Sequence, residues 1–308
     1  MEVEVIVAPT FIDNIFSPLV SYTEGAKEKF GASAASIVII QDNKILTEWY
    51  SGTHHFKNGS LVVTLDSMFN LYSLRKTYVG LATAIAVVES ELSVDRKVSD
   101  VFTNRPEYEL GNTTIRDLAT KSGAKYFGPN RIEREEVARD LIKELTEFNI
   151  AQLITERVLK PMKLTNREWI SVPKENLVCD FQAADGYAYV RIESNEGHER
   201  NLYSSARDLA QWGNLHLNRG LINHSQLVPV EVFTLIEQLR IDTEDQNRIF
   251  GWYYQDKCYY VSGAAGCHCV IVPQFNAVAV RMFNKYTEDY TEDQNSFNEI
   301  FYNCLQGK

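Results

Sequence analysis

The chain has 308 residues, 44% of them hydrophobic, and 31 Lys and Arg against 41 Asp and Glu give a net charge of −10. That apolar share is enough for a substantial core, while the acidic balance and the lack of long basic runs exclude a phosphate-tracking surface, so nucleic acid is not an expected partner. No segment approaches about eighteen uninterrupted apolar residues, so no membrane-spanning helix is expected.

The N-terminal stretch MEVEVIVAPTFIDNIF carries acids where a secretory leader carries positive charge, and the expected location is cytoplasmic. Residues 14–30 place Ile15, Leu19, Val20 and Ala26 at helical spacing, so a helix is expected there, packed on a sheet. The sheet begins with SIVIIQDNKILTEWYSG, two β-rich runs around Asp42-Asn43, whose turn chemistry is that of a hairpin. From residue 73 to about 240 the period is mainly helical, over 74–90, 114–120, 133–146, 148–160, 205–217 and 229–239. After 248 the pattern returns to short strands, RIFGWYYQD, CYYVSG, CHCVIVP and AVAVRMFN, before a closing helix at about 293–305.

Strands at both ends with helices between them imply one sheet assembled from distant parts of the chain. The expected class is α/β (α+β): a single domain with a central antiparallel sheet flanked by helices and an inserted all-helical region. The sheet region is expected at about 1–70 and 245–308, the helical region at about 71–244.

The stretch FNLYSLRKTYVGLATAIAVVE, residues 69–89, sets Ser73 and Lys76 three positions apart, just ahead of the nearly all-apolar run Thr77–Val88. Such a run belongs to a buried central helix. A helix start turns backbone N–H groups and the positive end of the macrodipole toward the serine, and stacks the lysine one turn on. A desolvated lysine loses its proton more readily, as an arginine would not, and can then serve as a base for the hydroxyl. The alternative is an ordinary helix N-cap serine followed by a snorkelling lysine. Two other Ser-x-x-Lys pairs have poorer settings: Ser122 and Lys125 enclose Gly123, and Ser171 and Lys174 enclose Pro173.

Five cysteines, Cys179, Cys258, Cys267, Cys269 and Cys304, are odd in number and bunched late, and are expected as free thiols. CHC at 267–269 lies on a strand, where alternate residues face opposite sides, so Cys267 and Cys269 point one way and His268 the other. No His-Glu-x-x-His, Gly-x-Ser-x-Gly, phosphate loop or dinucleotide fingerprint occurs, and neither metal nor cofactor is expected.

The order of motifs resembles the serine β-lactamase and penicillin-binding-protein superfamily, in particular its class C-like branch with esterases and 6-aminohexanoate-dimer hydrolases. DSMFNLYSLRK resembles the strand, loop and active-site Ser-x-x-Lys, and VVESELSVDRKVSDVF the helix end and connection that follow. TTIRDLATKSG, ITERVLKPMKL and YSSARDLAQWGNLHLNRGL resemble three further blocks, and YYVSGAAGCHCVIVPQFNAVAVRMFN the closing strands. The likeness runs in order from about residue 36 to 284.

It implies a serine hydrolase acting on a small ester, amide or peptide through an acyl-enzyme on Ser73, with Lys76 as base. Backbone N–H groups of Ser73 and Ala264 are then the expected oxyanion hole, and Val261, Ser262 and Gly263 the expected substrate-binding strand. Two departures stand out. No Tyr-x-Asn lies in 124–150, where Tyr126 is the nearest phenol, a proton relay or an aromatic packed under a loop. Val261 stands where the third motif begins with Lys or His, which removes a partner for a substrate carboxylate. These departures leave a catalytically inactive binding or regulatory protein as the rival reading, and an acyltransferase as a third.

Overall fold

The computed structural model describes residues 10–102, 107–120, 125–182, 188–192, 200–242, 248–287 and 290–307. The chain divides into two compact units, one of Met1–Leu74, Leu164–Leu217 and Lys257–Lys308, the other of Arg75–Lys163 and Asn218–Asp256.

The first unit is built on an antiparallel sheet. Its strands run in the order Phe11–Ile12, Lys44–Gly52, Ala34–Gln41, Ala277–Phe283, His268–Val272, Tyr259–Ser262. Asp42 and Asn43 take φ of 51° and 62°, the left-handed pair that a two-residue hairpin with the right twist requires, as their chemistry implies. Both central strands, Ala34–Gln41 and Ala277–Phe283, are buried along their whole length. They lack polar alternation because helices cover both faces.

On one face Phe16, Leu19, Phe297 and Phe301, from the N-terminal and C-terminal helical segments, pack on Ile37, Ile39, Val270, Ala277 and Ala279. On the other face the helix Ala206–Leu217 lies close, with Gly213 directly against Val278 and Cys269. Cys269 therefore faces this helix while His268 faces Thr291–Gln306, the period-two split expected of a strand. Residues 164–217 group with the sheet, where the sequence reading set them in the helical region. Periodicity identifies a helix but not the surface that its apolar stripe will cover.

A charged clasp ties the sheet to its terminal helix. The fully buried Arg281 guanidinium donates to Asp293 at 3.0 and 2.5 Å, His268 Nε2 lies 3.2 Å from the same carboxylate, and the Tyr22 hydroxyl donates to it at 2.9 Å. Burial, helped by the Arg281 charge, pushes the His268 imidazole down to about 4. Burial alone would raise Asp293, but the hydrogen bonds from His268 and Arg281 hold it well below the usual carboxylate range.

The second unit surrounds the helix Lys76–Glu89, in which every residue from Thr77 to Val87 is buried. That is the environment an all-round apolar helix demands. The helices Arg134–Thr146, Ile150–Ile154 and Val230–Asp242 pack around it. The helix expected over 148–160 is Ile150–Ile154 followed by a π turn, Thr155–Leu159. A hairpin of Arg248–Ile249 with Trp252–Tyr254 completes the unit. The class is the mixed α/β one with an antiparallel sheet that the sequence implied. Among the described residues no helix is long and apolar enough to cross a membrane.

Candidate active site

The strand Phe69–Asn70 pairs with Leu202–Ser204, and the chain then passes through Leu71 into a 3-10 turn, Tyr72–Arg75, that bears Ser73. Tyr72 takes a left-handed φ of 47°, a conformation that a bulky side chain rarely adopts unaided. Side chains hold it there. Its N–H donates to Asn70 Oδ1 at 3.0 Å and its hydroxyl to Asp180 Oδ2 at 2.6 Å. Asn70 Nδ2 donates to the same Asp180 oxygen at 2.9 Å, and the Arg191 N–H to Asp180 Oδ1 at 2.9 Å. Burial raises the Asp180 carboxyl above its ordinary range, opposed by these hydrogen bonds, and burial beside that carboxylate raises the Tyr72 phenol. The result is a fixed turn that presents a half-buried Ser73.

The closing strand meets this turn within the same unit. A Cβ on Gly263 would lie 2.3 Å from the Leu71 carbonyl oxygen, so only glycine allows the approach. Gly263 N–H donates to Cys267 O at 2.8 Å and Gly266 N–H to Gly263 O at 2.9 Å, closing the turn around Ala264. The Ala264 carbonyl accepts the Thr287 N–H at 2.9 Å, which fixes the orientation of that stretch of main chain. Ser262 and Ala264 are half-buried, whereas Val261 is buried at 1% exposure and packs as core.

In the other unit Lys76 opens the central helix, where Gly80 allows Phe250 to cross close by: a Cβ there would meet the Phe250 carbonyl oxygen at 2.0 Å. Burial, reinforced by the Arg248 charge, lowers Lys76 to about 8; Glu135 opposes this, while Arg134 and Arg75 add to it. Glu135 pairs with Arg75 at 2.7 Å. Among the described residues Lys76 itself has no ion pair or hydrogen-bonded side-chain partner. Desolvation beside like charges of this kind favours the neutral form of an amine.

Tyr126 lies on the small hairpin Tyr126–Phe127 with Ile132–Glu133, its ring 4.6 Å from the Arg131 guanidinium and 5.1 Å from the Lys125 ammonium. Of the weaker serine and lysine pairs, Ser122 lies outside the described residues, and Lys174 is engaged with Glu168.

Sequence reasoning missed Asn70, Tyr72 and Asp180 around the serine turn, and Arg134, Glu135 and Arg248 around the lysine. For Asp180, 108 residues from Tyr72, no local pattern could have signalled the pairing. Arg134 and Glu135 carried a signal of a kind: they open an amphipathic helix in the stretch where a Tyr-x-Asn was sought.

Comparisons with known proteins agree over nearly the whole chain. The sequence profile of the Beta-lactamase family matches residues 19–298. An uncharacterised protein of Alkalihalophilus pseudofirmus is 29% identical over 96% of this chain and 98% of its own. Among solved structures, a class C beta lactamase from Rhodobacter sphaeroides superposes with a TM-score of 0.73 at 15% identity, covering 95% of this chain and 100% of that one. EstCE1, a hydrolase with promiscuous acyltransferase activity, gives a TM-score of 0.69 at 14% identity over 94% and 98% of the two chains.

Proposed function

Because this chain belongs to the beta-lactamase family, we propose that it is a serine hydrolase that cleaves a small ester or amide through an acyl-enzyme on Ser73. The observation that carries this reading is the Lys76 amine, lowered to about 8 by burial and by Arg248, three residues after the serine in sequence. At that value a fraction of the amine is neutral at pH 7 and can accept a proton.

In the proposed reaction Ser73 Oγ forms a bond to the substrate carbonyl carbon as its proton passes to Lys76 Nζ. The carbonyl π electrons move onto oxygen, and the resulting oxyanion is received by the main-chain N–H groups of Ser73 and Ala264. Such preorganised donors stabilise the charge without side-chain chemistry, so a valine at 261 does not weaken them. Collapse of the intermediate expels the alcohol or amine, which takes the proton back from Lys76. Water then adds to the acyl carbon and regenerates the Ser73 hydroxyl. No metal or organic cofactor enters these steps, and Tyr126 is the proposed secondary proton relay.

Two other readings share the scaffold. Acyl transfer would replace the water with an alcohol or amine on the same acyl-enzyme, a capability carried in the name of EstCE1. A non-catalytic binding protein is favoured by the engagement of the Tyr126 ring with Arg131 and Lys125.

Steady-state and burst kinetics with p-nitrophenyl acetate, in water and with added methanol, separate the three. Hydrolysis predicts a burst and steady turnover lost in Ser73→Ala; acyl transfer predicts methyl acetate as the main product. Absence of any Ser73-dependent turnover in folded protein would favour the binding protein.

A further inference from the structure

Four aromatic rings in the sheet unit form a chain that starts at the residue before the candidate nucleophile. The Tyr72 ring lies 5.4 Å from that of Tyr286; Tyr286 stacks on Phe181 at 5.6 Å and 24°; and Phe181 stacks on Tyr189 at 5.0 Å and 18°. The Arg191 guanidinium backs the group, 5.5 to 5.8 Å from the Tyr286, Phe181 and Tyr72 rings.

Both ends of the proposed acyl site hold this group. Tyr72 precedes Ser73, and Tyr286 precedes Thr287, whose N–H is bonded to the Ala264 carbonyl at 2.9 Å. Asp180 adds rigidity, since it accepts both the Tyr72 hydroxyl and the Arg191 main-chain N–H. Yet two of the rings stay open to solvent: Tyr189 is 40% exposed and Tyr286 36%. Rings stacked in fixed positions and left wet favour a flat partner, because the entropy of ordering the platform has been lost before the ligand arrives. Val261, buried and apolar, offers no charge to a substrate carboxylate.

We propose that the substrate carries an aromatic ring, and that Tyr286, Phe181 and Tyr189 form the platform on which that ring stacks while its carbonyl is presented to Ser73. The inference rests on the serine-hydrolase reading for its reaction but not for its binding step.

The test uses size-matched thioester pairs that differ only in whether the ring is aromatic. One pair varies the acyl side, phenylacetyl against cyclohexylacetyl; the other varies the leaving side, benzyl against cyclohexylmethyl thioacetate. The expected aryl-to-cyclohexyl ratio of kcat/KM is roughly 3 to 10 in at least one pair, falling toward one in Tyr286→Leu and Tyr189→Leu. Ratios near one in both pairs with good turnover, or ratios unmoved by both substitutions, would overturn the proposal and leave the hydrolase reading intact. Saturation-transfer NMR of phenylacetamide and cyclohexylacetamide on full-length Ser73→Ala protein covers the case without turnover. Selective binding of the aryl amide, lost in Ser73→Ala/Tyr286→Leu, sustains the platform even if the hydrolase reading falls; failure to discriminate there removes both.

Discussion

The Tyr72 hydroxyl donates to the Asp180 carboxylate across 2.6 Å, joining residues 108 apart in the chain. Through this bond a buried acid holds the left-handed residue that delivers Ser73. Tyr72→Phe keeps the ring and removes the donor, and Asp180→Asn keeps the size and removes the charge. Each is expected to lower kcat/KM about 10- to 100-fold, the effect of a small misplacement of a reacting group. Tyr72→Phe should also cost about 1–3 kcal/mol of stability, because it takes a hydrogen bond from a buried carboxylate. Ester kinetics beside urea unfolding would separate the two effects, and unchanged kinetics in both variants would remove the positioning role.

The charges around Lys76 make a prediction with two signs. The proposed reaction needs the neutral amine, so kcat/KM should rise with pH through a midpoint near 8. Arg248 lowers the Lys76 pKa and Glu135 raises it. Arg248→Gln should therefore move the midpoint upward and Glu135→Gln downward, each as read from a pH–rate profile. Shifts in the same direction would mean that some other group governs the limb.

Gly263→Ala probes the approach of the closing strand to the serine turn. The added methyl meets the Leu71 carbonyl oxygen at 2.3 Å, a contact that main chain must move to relieve. Overpacking of this kind costs about 1–3 kcal/mol, and the displacement falls on Ala264. The expected result is a loss in kcat well beyond what the lowered melting temperature explains, measured at a temperature where the variant is fully folded.

The clasp around Asp293 predicts acid sensitivity. Folded His268 has a pKa of about 4 against an ordinary 6.5, so as pH falls below 6.5 the unfolded chain binds a proton that the folded chain refuses. Stability from this group is present above pH 6.5 and is lost progressively down to about 4. Between pH 7 and 4.5 the wild type should lose on the order of 2 kcal/mol more than His268→Gln. Urea unfolding at the two pH values measures the difference.

Much of this arrangement was legible in local chemistry. Asp42-Asn43 announced its hairpin, and the unbroken apolar face of Thr77–Val88 announced a helix buried all round. Spacing and motif order nominated Ser73, Lys76 and the strand at 261–264, and their roles belong to the proposed reaction. What escaped depended on tertiary contact. The amphipathic helix Ala206–Leu217 gave no sign that its stripe would cover the sheet, and Asp180 meets Tyr72 only because two distant segments fold together. Likewise, Phe181, Tyr189 and Arg191 lie close together in sequence, but the Tyr72 and Tyr286 rings that extend their stack come from distant parts of the chain, so no window of sequence contains the whole of it.

The central claim is that one hydroxyl, activated by one neutral amine, becomes acylated. The most direct measurement is the rate of fluorophosphonate labelling of the folded full-length protein from pH 6 to 10, with the adduct located by peptide mass mapping. The account predicts a single adduct on Ser73, formed faster as pH rises through about 8, and no adduct in Ser73→Ala. An adduct on another residue, or labelling that survives that substitution, would contradict it.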